Sequence, residues 1–148
     1  IIYIIMNLGL FSCLLMMKRE NQYYEKIEDL SGLSKNHPML ALSLMIILFS
    51  LAGIPPLAGF FAKFYVFKSV IEQSMYFLAI VGLLSTVVAA FYYLRLIKIM
   101  YFDKEKEKYD TDHGLWLKFS LTFSTLLILV YFIFPSQLIE VVSRINII

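Results

Sequence analysis

An apolar run from residue 39 to residue 71 is interrupted near its middle by the sequence GIPPLAG. As one straight helix the run would be roughly 50 Å long, whereas the hydrocarbon core of a bilayer is about 30 Å thick. Neither Pro55 nor Pro56 has an N–H, and the second proline disfavours helical dihedrals at the first. Gly53 and Gly59 flank the pair with permissive backbones. The pattern therefore predicts a helix that is broken between Gly53 and Gly59.

The rest of the chain is apolar enough to be a membrane protein. Hydrophobic residues make up 60% of the 148 residues and charged residues 16%, whereas soluble domains have about half apolar and a quarter charged residues. A membrane-spanning helix needs about 20 apolar residues. We predict an all-α protein with one membrane domain over residues 1–148 and four transmembrane segments, the second discontinuous; the segments are residues 1–17, 39–71, 75–102 and 115–134.

The connection between the first two segments, residues 18–38, mixes charges of both signs with Ser, Gly and Asn. A short helix is expected around Glu25 to Leu30. Pro38 suits the first position of the next helix, where a missing N–H costs nothing, and Asn36 or His37 would be the cap. The second segment is therefore expected to begin close to residue 39.

The first and third connections contain most of the Lys and Arg residues. The positive-inside rule places these loops on the cytoplasmic or matrix side, with the C-terminus on the opposite side. After Pro135 the tail has one apolar face, which predicts a short interfacial helix. That face consists of Leu138, Ile139, Val142 and Ile145.

Lys63 lies a few residues after the predicted break, roughly 13 Å from the helix end near Glu72. The competing interpretation is that Lys63 snorkels to the interface, but a lysine stem reaches only about half of that distance. An ionisable residue inside a bilayer is a functional candidate by default, and a broken helix is one way to build an ion site there. Loss of hydration favours the neutral form of an ammonium group, and neighbouring charges adjust the balance, so such a group can take up and release a proton. We therefore predict that Lys63 transfers protons.

Other polar side chains have simpler interpretations. Lys68 and Glu72 are spaced as an exposed i,i+4 pair. His37 and His113 adjoin loops and are expected to be solvated, a role in proton entry being the alternative. Lys118 is expected to snorkel. Hydroxyl groups could line water but more often bond to helix carbonyls; they belong to Ser43, Ser50, Ser85, Thr86, Thr122, Ser124 and Thr125.

Several functional classes are excluded by composition. Cys13 is the single cysteine, which excludes disulfides and iron–sulfur ligation within this chain. We find no metal-binding pattern, no nucleophile and base pair, no phosphate loop, and no haem or flavin signature. The net charge is +2 and the charges lie mainly in two loops, so no basic patch for nucleic acid is expected. The chain is not expected to carry a redox reaction by itself.

Two segments resemble a known family. Residues 29–67, with the block GIPPLAGFFAKFYVF, and FYYLRLIKIMYF at residues 91–102 look like the C-terminal part of the antiporter-like subunit N of respiratory complex I. This subunit is called NADH dehydrogenase subunit 2 in mitochondria. MNLGLF in the first segment fits the same subunit, and AKFYVF points to it rather than to its sister subunits or to Mrp-type antiporters.

The resemblance implies that the block is a discontinuous helix and that Lys63 belongs to a central hydrophilic axis for proton translocation. It implies that NADH, FMN, iron–sulfur clusters and quinone are bound by partner subunits. It also implies, as partners, other membrane-arm subunits, lipid and a polypeptide that supplies the missing N-terminal helices; split gene and fragment both stay open. The implied location is the mitochondrial inner membrane, with a bacterial plasma membrane as the alternative.

Two other functions remain open from the sequence. One is a structural subunit of the membrane arm, without a proton path and with Lys63 snorkelled. The other is a subunit of an Mrp-type cation/proton antiporter.

Overall fold

The computed structural model describes residues 1–19, 22–23, 26–104 and 114–133. Within these ranges the chain is almost entirely helical, so the predicted helical class is confirmed. The elements are α1 (Ile2–Met16), β1 (Lys18–Arg19), β2 (Gln22–Tyr23), a 3-10 turn (Ile27–Leu30), α2 (Leu33–Asn36), α3 (Pro38–Ala52), α4 (Ala58–Glu72), α5 (Tyr76–Phe102) and α6 (Leu115–Ile133). The strands form an antiparallel pair, with Lys18 opposite Tyr23 and Arg19 opposite Gln22. The sequence did not predict this pair.

The connection before α3 follows its local chemistry. The carboxylate of Asp29 accepts a hydrogen bond from the N–H of Lys26 at 3.1 Å, at the start of the 3-10 turn. Gly32 has φ +67° before α2, and its N–H donates to the carbonyl of Ile99 in α5 at 3.2 Å. Pro38 is the first residue of α3 and His37 is the cap residue. The predicted start of this helix is therefore confirmed.

Helix α3 is the centre of the packing, with contacts to α1, α2, α4, α5 and α6. Its side chains Ala41, Leu44, Ile47 and Leu48 are almost completely buried. Helices α1 and α6 approach closely at Gly9, where a Cβ atom would lie 2.8 Å from both Ile47 Cδ1 and Ser124 Cβ. Small residues allow this approach between helices. The core is therefore formed by α1, α3 and α6, with α5 packed on α3.

The outer surface of this helix group is strongly apolar. By length and composition, α5 is the one described helix that is long and apolar enough to cross a membrane. Its most apolar stretch of 18 residues is not buried by the rest of the described chain. It coincides with the predicted third segment. Shorter apolar helices cover Ile2–Met16, Pro38–Ala52 and Leu115–Tyr131. The number of four spans therefore stays a prediction, and the predicted C-terminal interfacial helix lies outside the described residues.

Candidate functional site at the helix break

Helices α3 and α4 are separated by residues 53–57, within the segment where the sequence predicts a break. Pro55 and Pro56 lie in this interval, joined by a cis peptide bond, and both are exposed in the chain. The end of one helix and the beginning of the next each leave backbone groups without helical partners. The hydrogen bonds that these backbone groups form define the site.

The end of α3 is closed by a Schellman turn. Gly53 has φ +83°, a left-handed conformation that glycine adopts at little cost. Its N–H donates to the carbonyl of Ser50 at 3.0 Å, and the N–H of Ile54 donates to the carbonyl of Phe49 at 3.1 Å. The carbonyls of Leu51 and Ala52 follow these two and are not used by the turn.

Lys63 supplies the donors for both of these carbonyls. Its Nζ lies 2.8 Å from the Leu51 oxygen and 3.3 Å from the Ala52 oxygen. Helical side chains lean towards the N-terminus of their helix, so a lysine in the second turn of α4 reaches back to the break. A cation at the C-terminal end of α3 also interacts favourably with the helix dipole.

The path of the Lys63 side chain passes over Gly53. A Cβ atom on Gly53 would lie 3.1 Å from Lys63 Cδ and 3.4 Å from Nζ. Lys63 is half-buried and points away from the helix end near Glu72, which is the opposite of simple snorkelling to that end. In the described part of the chain no carboxylate pairs with its ammonium group.

The start of α4 is capped from across the break. The cap residue Leu57 provides no side-chain hydrogen bond. Instead, the N–H of Gly59 donates to the hydroxyl of Ser50 at 3.0 Å, and this hydroxyl donates to the sulfur of Met6 in α1 at 3.0 Å. A serine oxygen that accepts from the second N–H of a helix is an N-cap interaction, here supplied by another helix.

Gly59 has a different role from the one that the sequence suggests. We predicted that its permissive backbone helps to break the helix, but it is the second residue of α4, and its φ is not positive. A Cβ atom there would lie 1.8 Å from the carbonyl oxygen of Ser50. Glycine is needed at this position because the two helices approach too closely for any side chain.

Comparison with known proteins identifies the family. A family model described as NADH:quinone oxidoreductase/Mrp antiporter, TM, matches residues 1–89, which include the break and Lys63. The chain belongs to this NADH:quinone oxidoreductase/Mrp antiporter family. Relatives include the NADH-quinone oxidoreductase subunits N of Pelagibacter ubique, 80% identical over 99% of the chain, and of Parvibaculum lavamentivorans, 49% identical over 94%. The resemblance to subunit N is therefore confirmed.

The chain spans about a third of these relatives, 31% of the first and 29% of the second. Its fold is similar to that of a solved chain of respiratory complex I from Thermus thermophilus with bound aureothin. The TM-score is 0.74 at 25% identity, over 90% of this chain and 31% of the other. Membership of the antiporter family thus rests on both sequence and fold.

The other polar residues that the sequence analysis considered lie away from the break. Lys68 and Glu72 form the predicted exposed i,i+4 pair, with 3.8 Å between nitrogen and oxygen and side chains 57% and 64% exposed. Lys118 is exposed on α6. His37 lies at the start of α3, and His113 lies outside the described residues. Proton entry through either histidine stays a prediction.

Two residues of the site were not singled out by the sequence. Ser50 was one of several hydroxyl residues, and Met6 was one of many apolar residues in α1. The available signal for Ser50 was its position as a polar residue three residues before Gly53. Its pairing with Gly59, nine residues later, depends on how α4 returns to α3 and has no sequence signature.

Proposed function

We propose that this chain is part of the proton-translocating membrane arm of an NADH:quinone oxidoreductase, with Lys63 in the intramembrane proton path. The observation that supports this most directly is the placement of the ammonium group at the helix break, on the carbonyls of Leu51 and Ala52. Membership of the antiporter family and the names of the relatives support the same assignment.

The geometry suits reversible protonation. The two carbonyls and the dipole of α3 favour the protonated form of the amine, while loss of hydration disfavours it. Opposing effects of this kind leave the balance sensitive to a neighbouring charge or to water. When the proton leaves, the neutral amine keeps two N–H groups but donates more weakly to the Leu51 and Ala52 carbonyls, so water can compete for them. Lys63 can thus hold one proton and exchange it with a water chain.

We further propose that the four apolar segments all cross the membrane, with α3 and α4 as the halves of one discontinuous span. At 1.5 Å per residue, α3 and α4 are each about 22 Å long, α6 about 28 Å and α5 about 40 Å. Neither half of the broken pair would cross a core of about 30 Å alone. Placed one after the other, the two halves are long enough to cross the core, with the break inside the bilayer.

The assignment requires partners. The exposed apolar surfaces of α4 and α5 support further helices packed against them, with lipid around the group. NADH, FMN, iron–sulfur clusters and quinone are then bound by other subunits. The bacterial relatives favour a bacterial plasma membrane over a mitochondrial inner membrane, with the charged loops on the cytoplasmic side.

Substitutions of Lys63 in the assembled complex test this function. Lys63→Ala removes the amine, and Lys63→Arg keeps a cation at the break but cannot release a proton. We expect both variants to lower NADH-driven proton uptake into inverted membrane vesicles. Lys68→Ala, which removes an exposed lysine from the same helix, is the matched control and should leave uptake unchanged.

The same experiment separates the alternatives. Full proton uptake in Lys63→Arg together with loss of assembly in Lys63→Ala would indicate a structural cation at the end of α3 and would refute the proton path. Sodium exchange in preparations without NADH-oxidising partners would indicate an Mrp-type antiporter instead. Assembly is checked by comigration of the chain with NADH oxidation on native gels.

A further inference from the structure

Ser50 contacts residues on both sides of the break. Its hydroxyl accepts from the N–H of Gly59 and donates to the sulfur of Met6. Its carbonyl accepts from the N–H of Gly53 and is also the atom that excludes a side chain at Gly59. Ser50 is completely buried, so water does not compete for these contacts.

We propose that Ser50 is a positioning residue for Lys63. This inference rests on the proposed function, in which Lys63 exchanges protons. The hydroxyl of Ser50 fixes where α4 begins relative to the last carbonyls of α3, and this in turn fixes where the ammonium group of Lys63 can rest.

The helix geometry transmits the position from one contact to the other. Gly59 and Lys63 are four residues apart in α4 and therefore lie one turn apart on the same face. On the other side of the break, Leu51 follows Ser50 directly. The bonds from Gly59 to Ser50 and from Lys63 to Leu51 are thus neighbouring contacts between the same two helices.

A shift of α4 at the contact between Gly59 and Ser50 also moves Lys63 relative to Leu51. A helical turn is stiff along its axis because its hydrogen bonds all run in that direction. The bond from Lys63 to Leu51 is 2.8 Å long. Hydrogen bonds of this type have lengths up to about 3.2 Å, and a few tenths of an ångström more weaken them. Loss of the Ser50 cap would therefore displace the ammonium group from its two acceptors.

Met6 gives the hydroxyl a defined orientation. The sulfur is a weak acceptor that takes the hydroxyl hydrogen, which leaves an oxygen lone pair directed to the N–H of Gly59. Met6 is buried at 3% exposure, so α1 also contributes to the position of α4.

The test compares three substitutions at Ser50 with one at Ser124 in the assembled complex. Ser50→Ala removes the hydroxyl, Ser50→Cys keeps the volume but is a weak acceptor, and Ser50→Thr keeps the hydroxyl. Ser124→Ala is the matched control, since Ser124 is also completely buried but its hydroxyl has no hydrogen-bond partner among the described residues.

The measured quantity is the number of protons translocated per NADH oxidised. We expect Ser50→Ala and Ser50→Cys to lower it, in the same direction as Lys63→Ala, because the ammonium group then loses its fixed position. Ser50→Thr should restore it, and Ser124→Ala should leave it unchanged. In a Lys63→Ala background, Ser50→Ala should add no further loss, because the residue that it positions is absent.

The outcomes distinguish this inference from the proposed function. An unchanged proton ratio in Ser50→Ala or Ser50→Cys, while Lys63→Ala lowers it, overturns the positioning role alone. Less assembled complex with an unchanged ratio shows a purely structural role and also overturns it. Equal loss in Ser50→Thr and Ser50→Ala shows that the hydroxyl is not responsible. An unchanged ratio in both Lys63→Ala and Lys63→Arg refutes the proposed function itself.

Discussion

Replacement of Gly59 by alanine gives the most direct test of the close contact between α3 and α4. The new Cβ would lie 1.8 Å from the carbonyl oxygen of Ser50, whereas ordinary carbon–oxygen contacts begin at about 3.3 Å. The two helices would have to separate by about 1.5 Å at this point, since the clashing atom is backbone and cannot rotate away.

The consequences of this separation can be worked out from the hydrogen bonds beside it. The N–H of Gly59 is 3.0 Å from the Ser50 hydroxyl, and Lys63 Nζ is 2.8 Å from the Leu51 oxygen. Both bonds would exceed hydrogen-bonding distance. Loss of the cap costs about 1 kcal/mol and loss of the charged bond about 1.5–3 kcal/mol. Gly59→Ala should therefore destabilise the chain by about 2.5–4 kcal/mol.

Gly82→Ala is the control for this prediction. Its Cβ would meet Phe67 Cε1 at 2.9 Å, but that atom is the far end of a side chain that can move. The assay is the amount and thermal stability of the assembled complex in detergent, followed by NADH-driven proton uptake. If Gly59→Ala were as stable as Gly82→Ala, the close approach of the helices would be wrong, and so would the contacts that depend on it.

Three further substitutions test the geometry around the break and the core. Gly53→Ala forces alanine into a left-handed conformation and places Cβ 3.1 Å from Lys63 Cδ, so we expect about 1–2 kcal/mol of destabilisation together with reduced proton uptake. Gly32→Ala carries similar backbone strain at φ +67° and should destabilise without reducing uptake per assembled complex; equal uptake in both variants would contradict the contact with Lys63. Gly9→Ala places Cβ 2.8 Å from the Ile47 and Ser124 side chains and should lower the free energy of unfolding by about 1–3 kcal/mol. An unchanged melting temperature would show that α1 and α6 are less closely packed.

The position of the break could be predicted from the sequence because Pro55, Pro56 and Gly53 act through their own backbone chemistry. The start of α3 at Pro38 was predictable for the same local reason. The role of Gly59 was not, because a close approach between two helices depends on packing rather than on the residue itself. The direction of the Lys63 side chain was open for the same reason, because the sequence does not show whether it turns towards the break or towards the helix end.

The two contacts across the break satisfy opposite backbone groups. The hydroxyl of Ser50 supplies an acceptor for an N–H at the positive end of α4, and the ammonium of Lys63 supplies donors for carbonyls at the negative end of α3. Under the proposed function these contacts differ in one respect: the bond to Ser50 does not change with the protonation of Lys63, whereas the bonds of Lys63 weaken when its amine becomes neutral. Release of a proton would leave the register of α4 held by Ser50 while the neutral amine binds the carbonyls of Leu51 and Ala52 less strongly. A fixed contact beside a protonation-dependent one allows Lys63 to give up its proton and return to the same place, so loss of the fixed contact should impair the return rather than the release.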